Sequence, residues 1–414
     1  MRIAIIGGGI IGLCSAYYLH KKGYQITVID KGDINDGCSF GNSGYVCPSH
    51  FTPLASPGIV AQGIRWMMSS SSPFYIKPRF NYELAKWCVS FWRNSNAATV
   101  EKNAPHLYNL LTLSRKLTSD IKNEVGNSFD MEEKGILMLY KTTTVEQHEK
   151  ELAEKSAAFG LKTQILNGDE VQALEPAQKV DVLGGVLYTD DAHLHPGKLM
   201  KALYNDLEKK GINFMTRTSV VSFEKQHNKV TSVITDKGKL ETDEVVLSAG
   251  SWLPLVSRKL GVPILLQPGK GYSLTFSNID GNLNYPSILV DRRVAMTPMG
   301  KDLRMGGTME ISGINNNLLV KRAEAIYNAA KSYYPELPVS FPETNQIWNG
   351  LRPLSPDGLP YLGRPKQYKN VVIAGGHAML GLALAAGSGK VVEEIISNEK
   401  SSVPLEAFKV ERFG

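Results

Sequence analysis

The sequence predicts an α/β chain of two domains, one assembled from separated segments and the other an α+β unit with a mixed sheet. Three observations predict it. The chain opens on a strand, a glycine-rich turn, a helix and a second strand that ends on an acid. Short β-rich runs closed by glycines return far downstream, in "ETDEVVLSAGSW" and "NVVIAGGHAMLGLALAAGSGKVVEEIISN". The stretches between them mix helical and strand-like runs.

The opening unit reads "IAIIGGGIIGLCSAYYLHKKGYQITVID". Arg2 is its only early positive charge and no small-residue cleavage site follows, so a signal peptide is not expected. The apolar run is too short and glycine-rich to span a bilayer, which needs about 20 apolar residues. Ile3 to Ile6 is β-branched, as a buried parallel strand requires. Gly7, Gly9 and Gly12 form G-x-G-x-x-G, and Leu13 to Leu19 continue as a helix. Gly7 permits the tight turn, Gly9 lets backbone approach a pyrophosphate, and Gly12 packs helix on strand. The helix N-terminus offers N–H groups and partial positive charge to phosphates. Asp30 ends the second strand about twenty residues later, where a carboxylate accepts ribose hydroxyls. Strand, glycines, helix, strand and acid in this order predict dinucleotide binding.

The 414 residues are enough for two domains and a sizeable core. A net charge of +6, with cations scattered among acids, does not suit a nucleic-acid partner. Cys14, Cys38, Cys47 and Cys88 contain no C-x-x-C pair, so zinc is not expected. The chain reads as cytoplasmic and without disulfides, with Cys14 as core packing on the first helix.

Separated strand ends with glycines place residues 1–80, 191–262 and 344–414 in the first domain. Residues 81–190 and 263–343 make the second. They include the helical "HLYNLLTLSRKLTSDIKNEVG" and "LLVKRAEAIYNAAKSYYP" and the strands "GILMLY", "YSLTFS" and "LRMGGTM". A ligand is expected in the cleft between them.

After Asp30 comes "KGDINDGCSFGNSG", a loop of small polar residues suited to a second pass over a pyrophosphate. Here the sequence resembles the D-amino-acid oxidase, glycine oxidase and D-amino-acid dehydrogenase group of FAD enzymes. The resemblance covers essentially the whole chain, through "SFGNSG", "TSVV", "LSAGSW", "KGYSLT", "WNGLRPLSPDGLPYLG" and "GGHAMLGLALAAGSGK". "GIRWMM", "PFYIKPRF" and "LAKWCVSFWRN" look most like the dehydrogenase branch. The resemblance implies a discontinuous FAD-binding, Rossmann-like domain of the glutathione-reductase type beside the substrate domain. It implies cofactor contacts from Gly7, Gly9, Ile10, Ile11, Gly12, Asp30 and Lys31, then from Ser39, Asn42, Ser43 and Gly44. Val220, Ala249 and Gly250 match residues near the adenine and dinucleotide, and Gly376, His377, Gly381 and Leu382 match the turn facing the flavin. Some relatives attach flavin through a histidine where Gly41 stands here, and others through a C-terminal cysteine. This chain has none past Cys88, so non-covalent FAD is expected.

The chemistry implied is oxidative deamination of D-amino acids to 2-oxo acids and ammonia, by hydride loss from the α-carbon to the flavin. Electrons would pass to an acceptor such as quinone. A substrate carboxylate calls for a planar guanidinium, and the resemblance assigns Arg352, whose alternative is pairing with Asp357 in its own loop. Tyr272 can donate to the same carboxylate or sit as a strand tyrosine. His50 follows "SGYVCPS" and can reach the flavin face. His193 and His195 precede a helix beginning near Pro196, and one of them can line the substrate pocket. No metal site is expected. Between Ile59 and Arg93, aromatics alternate with basic residues, which suits either a peripheral membrane contact at the inner face or an inward-packed helix. The alternatives are a hydroxy-D-proline or D-proline dehydrogenase, a glycine or sarcosine oxidase, and a non-catalytic flavoprotein subunit. Glycine oxidases carry arginine where Met379 stands, which counts against that oxidase.

Overall fold

The computed structural model describes residues 1–34, 37–67 and 72–413. Among them, one sheet has six strands in the order Tyr361–Gly363, Val371–Gly375, Glu244–Leu247, Arg2–Ile6, Gln25–Ile29 and Asn213–Met215. All neighbours run parallel except the Tyr361–Gly363 edge. From Ile3 onward the strand Arg2–Ile6 is buried on both faces. Ile3 and Ile5 join one core beneath the helices Ile10–Lys21 and Ala385–Ile396, whereas Ala4 and Ile6 face the opposite core with Phe223, Val230 and Val233. That second core is covered by a three-stranded antiparallel sheet, Val220–Gln226, Lys229–Thr235 and Gly238–Glu241. Cys14 is buried where the two helices cross, and a Cβ on Gly389 would lie 2.6 Å from its backbone carbon.

The second sheet is mixed. It runs Trp348–Leu354, Gln267–Phe276, Asp302–Ile311, Val294–Met299, Ser287–Leu289, Ile136–Tyr140, Gly184–Tyr188 and Thr163–Asn167. Phe74–Ile76 adds to it through Met309–Ile311. The helix Val320–Tyr333 buries Ala323, Ile326 and Ala330 in the core of this sheet.

Three segments cross the boundaries expected from sequence. Trp348–Leu354, expected in the first domain, pairs with Gln267–Phe276 in the second sheet. Phe74–Ile76 also leaves the 1–80 segment for that sheet. The helix Ala97–Val125, expected with the second domain, buries Leu107, Leu110 and Leu111 in the first domain's core. The cause is common to all three. Local residue pattern specifies a strand or an amphipathic helix, but its partner is set by tertiary packing.

Candidate cofactor and substrate site

A cavity of about 1700 Å³ runs between the two sheets. Small-ligand sites occupy roughly 300–1000 Å³, so this one has room for a dinucleotide and a small substrate together. At one end stands the glycine turn. Gly7 has φ +110°, and a Cβ there would lie 2.5 Å from the Ser248 carbonyl oxygen. On Gly12 it would lie 1.9 Å from the Gly7 oxygen, so Gly12 brings helix against strand without itself lining the cavity. Gly9, Ile10 and Ile11 do line it. The helix has no side-chain cap of its own; the Ile10 amide donates to Ser39 Oγ at 3.2 Å. Asp30 accepts from the amides of Gly8 at 2.6 Å and Gly32 at 2.8 Å. A carboxylate has about four acceptor positions, so both oxygens keep capacity for a ligand hydroxyl. Lys31 lies 3.3 Å from the Trp252 ring centroid, and Lys31, Val220, Ala249 and Gly250 line the same end.

Above the turn, Ser39, Asn42 and Ser43 line the cavity. Their loop is held from the second sheet. Buried Arg304 donates from Nη1 to the carbonyls of Phe40 at 3.1 Å and Asn42 at 2.8 Å, and Thr297 Oγ1 donates to the Ser43 carbonyl at 2.7 Å. Burial pulls the Arg304 pKa down to about 10, which leaves it charged. Gly44 stands behind the wall, with φ +85° and no room for a Cβ beside the Leu194 oxygen at 2.2 Å. Gly41 is a glycine because Trp348 fills its side-chain space, with ring atoms 2.3 Å from a Cβ position. The C-terminal turn brings His377, Gly381 and Leu382 to the cavity, while Gly376 (φ +81°) packs against Tyr361 behind it. The His377 ring faces Ser388 Oγ at 2.9 Å, and burial pulls its pKa down to about 3. Its side chain is a packing element rather than an acid or base. These donors, cradles and volume fit FAD.

On the substrate side, Arg352 lines the cavity with its guanidinium flat over Gly271, where a Cβ would lie 2.2 Å from Cζ. Nη1 donates to the Thr308 carbonyl and Nη2 weakly to that of Gly307, at 3.5 Å. A register shift between Lys270 and Tyr272, opposite Thr308 at φ +65°, presents these carbonyls. Arg352 has no carboxylate partner among the described residues. Asp357, the alternative partner, is instead gripped by Arg412 at 2.7 and 3.1 Å. Burial pulls the Arg352 pKa down, with Cys38 nearby opposing the shift.

Tyr272 departs from expectation. Its ring lines the cavity, but the hydroxyl donates its single proton to Glu310 Oε2 at 2.6 Å and accepts from the Leu319 amide at 3.3 Å. It has no proton left for a substrate carboxylate. His195 also departs: it does not line the cavity, and its Nδ1 caps the helix Pro196–Lys209 by accepting from the Lys198 amide at 3.2 Å. His193 pairs with Tyr45 in a short antiparallel bridge, also off the cavity wall. His50 does line the cavity, with Nδ1 3.0 Å from Ser49 Oγ. Burial, assisted by the Arg293 charge, pulls its pKa down to about 4. Among the described residues no cluster of three His, Cys, Asp or Glu side chains could hold a metal. The parts played by Trp348, Arg304, Ser49 and Asp191 were not read from sequence, since each meets a partner distant in the chain.

The aromatic-basic stretch from Ile59 to Arg93 turns both ways, apart from residues 68–71, which lie outside the described residues. Trp87 is buried, stacks on Phe91 and donates from Nε1 to the Leu354 carbonyl at 2.9 Å. Ile64, Phe80, Tyr82 and Trp92 are exposed beside exposed Arg65, Lys77, Lys86 and Arg93. No helix among the described residues is long and apolar enough to cross a membrane.

Residues 2–395 match the DAO family, described as FAD dependent oxidoreductase. The chain is 30% identical to a D-amino acid dehydrogenase of Granulibacter bethesdensis and 31% identical to one of Methylobacterium radiotolerans, covering 100% of both chains each time. Among solved structures, glycine oxidase from Geobacillus kaustophilus superposes with a TM-score of 0.80 at 19% identity, covering 99% of each chain. L-proline dehydrogenase from P. horikoshii gives 0.78 at 21% identity, covering 100% of this chain and 97% of that one. Likeness at these identities concerns the fold.

Proposed function

The chain belongs to the DAO family of FAD-dependent oxidoreductases, and from that premise we propose that it is a D-amino-acid dehydrogenase. The observation that carries the substrate class is Arg352, a partly buried cation lining the cavity, with no carboxylate partner among the described residues. Full-length likeness to relatives named D-amino acid dehydrogenase supports the D configuration.

In this reading the six-stranded sheet carries the cofactor and the mixed sheet carries the substrate. Gly7, Gly9, Ile10, Ile11, Ser39, Asn42 and Ser43 hold the pyrophosphate. Asp30 takes the ribose, with Lys31, Val220, Ala249 and Gly250 about the nucleotide end. His377, Gly381 and Leu382 close the flavin end, while Gly12, Gly44 and Gly376 shape the wall from behind. When bound, FAD supplies the acceptor for the α-hydrogen and its electron pair. Arg352 orients the substrate by its carboxylate, and the surrounding apolar wall excludes water. Attachment is non-covalent. Trp348 occupies the side-chain space at Gly41, and burial raises the cavity-lining thiols of Cys38 (to about 11) and Cys47 above their ordinary range, so thiolate is scarce. Exposed Phe80, Tyr82 and Trp92, in a stretch that also exposes Lys77, Lys86 and Arg93, are suited to peripheral contact with an anionic membrane surface, where a quinone acceptor is within reach.

The test is anaerobic bleaching of the flavin by a panel of D-, L- and N-methyl amino acids, including D-proline, hydroxy-D-proline, glycine and sarcosine. Bleaching by D-amino acids with free primary amines is expected. Bleaching only by cyclic amines or sarcosine moves the assignment to those substrates, and no bleaching by any of them leaves a non-catalytic flavoprotein. Acid precipitation should release intact FAD into the supernatant.

A further inference from the structure

His50 stands at the end of a chain of hydrogen bonds that the function above does not use. The strands Tyr45–Val46 and Ala192–His193 pair antiparallel, with Val46 opposite Ala192. This brings Ser49 beside Asp191, 142 residues away in sequence. The Ser49 amide donates to Asp191 Oδ1 at 3.1 Å, and Ser49 Oγ donates to Asp191 Oδ2. The same Oγ lies 3.0 Å from His50 Nδ1. Asp191 is fully buried, whereas His50 opens on the cavity.

A hydroxyl has one proton, and Ser49 gives it to the Asp191 carboxylate. His50 Nδ1 must then donate to Ser49 Oγ, which leaves Nε2 of this cavity-lining residue as an acceptor. We propose that Asp191, Ser49 and His50 form a proton-transfer chain through which a substrate ammonium in the cavity gives up one N–H proton before its α-hydrogen leaves. His50 is the catalytic residue; Ser49 and Asp191 act through it. The step balances. The substrate N–H bond breaks and the proton joins His50 Nε2. The Nδ1 proton passes to Ser49 Oγ, the Ser49 proton passes to Asp191, and no electrons move between groups. The substrate is left with the nitrogen lone pair that forms the C=N bond as hydride departs. After product leaves, the proton returns by the same path to water in the cavity.

The chain explains why a histidine held at so low a pKa can serve. Burial and Arg293 pull His50 down to about 4, so an imidazolium resting there is disfavoured. Asp191 is pushed up to about 7, mainly by burial, with the two Ser49 hydrogen bonds opposing the rise. The proton therefore comes to rest on the carboxylate, in the range where a general base works best at neutral pH. The other charged groups acting on Asp191 are Asp190, which raises its pKa, and Arg115, which lowers it, and Asp191 in turn raises Cys47 and Tyr188. When Asp191 is protonated the chain reverses, and His50 carries its proton on Nε2.

This inference rests on the amine substrate proposed above, so its test has one arm that needs no substrate. Imidazole ¹⁵N NMR of the FAD-loaded protein should show His50 protonated at Nδ1 well above pH 7 and at Nε2 well below it. Asp191→Asn keeps both hydrogen-bond contacts in the sense of the protonated acid, so it should hold the Nε2–H form at every pH. With whichever amino acid bleaches the wild type, kcat/KM should rise with pH to a plateau through an apparent pKa near 7. In Asp191→Asn and Ser49→Ala it should drop by roughly 10²- to 10⁴-fold, the usual range for general acid–base catalysis. Ser49→Thr, which keeps the hydroxyl, should recover most of the rate. One His50 tautomer at all pH values, or variants that keep the wild-type rate and pH profile, would overturn the chain. Failure of every amine to bleach the wild type would sink the proposed function instead, while the NMR arm still decides the hydrogen-bond chain.

Discussion

Replacing Arg352 with alanine tests the substrate class directly. The guanidinium has five N–H donors, of which two are spent on the carbonyls of Thr308 and Gly307, leaving three for a ligand. Truncating one partner of a buried charged hydrogen bond costs about 2–5 kcal/mol. At about 1.4 kcal/mol per tenfold, kcat/KM should fall by roughly 30- to 4000-fold. Dye-coupled turnover of the best D-amino acid measures it, with flavin absorbance reporting occupancy and thermal unfolding reporting the fold. Occupancy should hold, because no dinucleotide contact is removed. Stability should drop by no more than about 1–3 kcal/mol, since two carbonyls lose a donor. Arg352→Lys keeps the charge but not the planar fork, and should remain well below wild type. A decarboxylated amine should be a poor substrate for wild type and no worse for the alanine variant. Loss of FAD or of the fold, with surviving amino-acid turnover at its wild-type efficiency, would make Arg352 a strut for the Gly307–Thr308 bend and remove the basis for the substrate reading.

Gly41→Ala places a methyl 2.3 Å from Trp348 ring atoms, so the protein should emerge from gel filtration with markedly less bound flavin, read from its visible absorbance. Asp30→Ala strands the amides of Gly8 and Gly32 and removes the proposed ribose acceptor, and should weaken FAD binding at least about tenfold in a fluorescence titration. Arg412→Ala leaves Asp357 charged and nearly buried, which should cost about 3–5 kcal/mol in denaturant unfolding with little change in kcat/KM measured under folding conditions. Phe80→Ser combined with Trp92→Ser should reduce sedimentation with anionic phospholipid vesicles while leaving turnover with a soluble dye intact; equal sedimentation would rule out this face as the contact.

The strand–helix–strand unit proposed to hold the dinucleotide was legible because its information is local. Gly7, Gly12 and Asp30 lie within one strand–helix–strand unit, and each is fixed by a steric or hydrogen-bond demand inside that unit. His195 was legible as well, had its position outweighed its chemistry. It directly precedes Pro196 at a helix start, where an acceptor side chain is needed. The substrate side was legible only as residue types. Nothing near Tyr272 in sequence shows that Glu310, 38 residues on, takes its proton. Nothing near Arg352 shows that Arg412 already satisfies Asp357. The same limit applies to Trp348–Leu354, whose strand character was readable while its choice of sheet was not.

Arg304 shows why the two halves cannot be treated as separate binding units. It belongs to the mixed sheet, where Nε donates to Thr275 Oγ1 at 3.0 Å, yet its Nη1 holds the carbonyls of Phe40 and Asn42 in the cofactor loop. Only a planar, multi-donor cation reaches acceptors on both sides at once; an ammonium has no fixed fork to span them. Thr297 adds a second tie from the same sheet to Ser43, and the Tyr45 hydroxyl returns one from the loop's end to the Ser287 carbonyl at 2.7 Å. Tyr45 begins the strand that sets Ser49 against Asp191, and His50 follows directly. The segment from Ser39 to His50 thus touches the helix N-terminus at one end and the proposed proton chain at the other. Cofactor retention and amine chemistry are therefore coupled through a dozen contiguous residues, so substitutions in the mixed sheet that loosen this segment act on both.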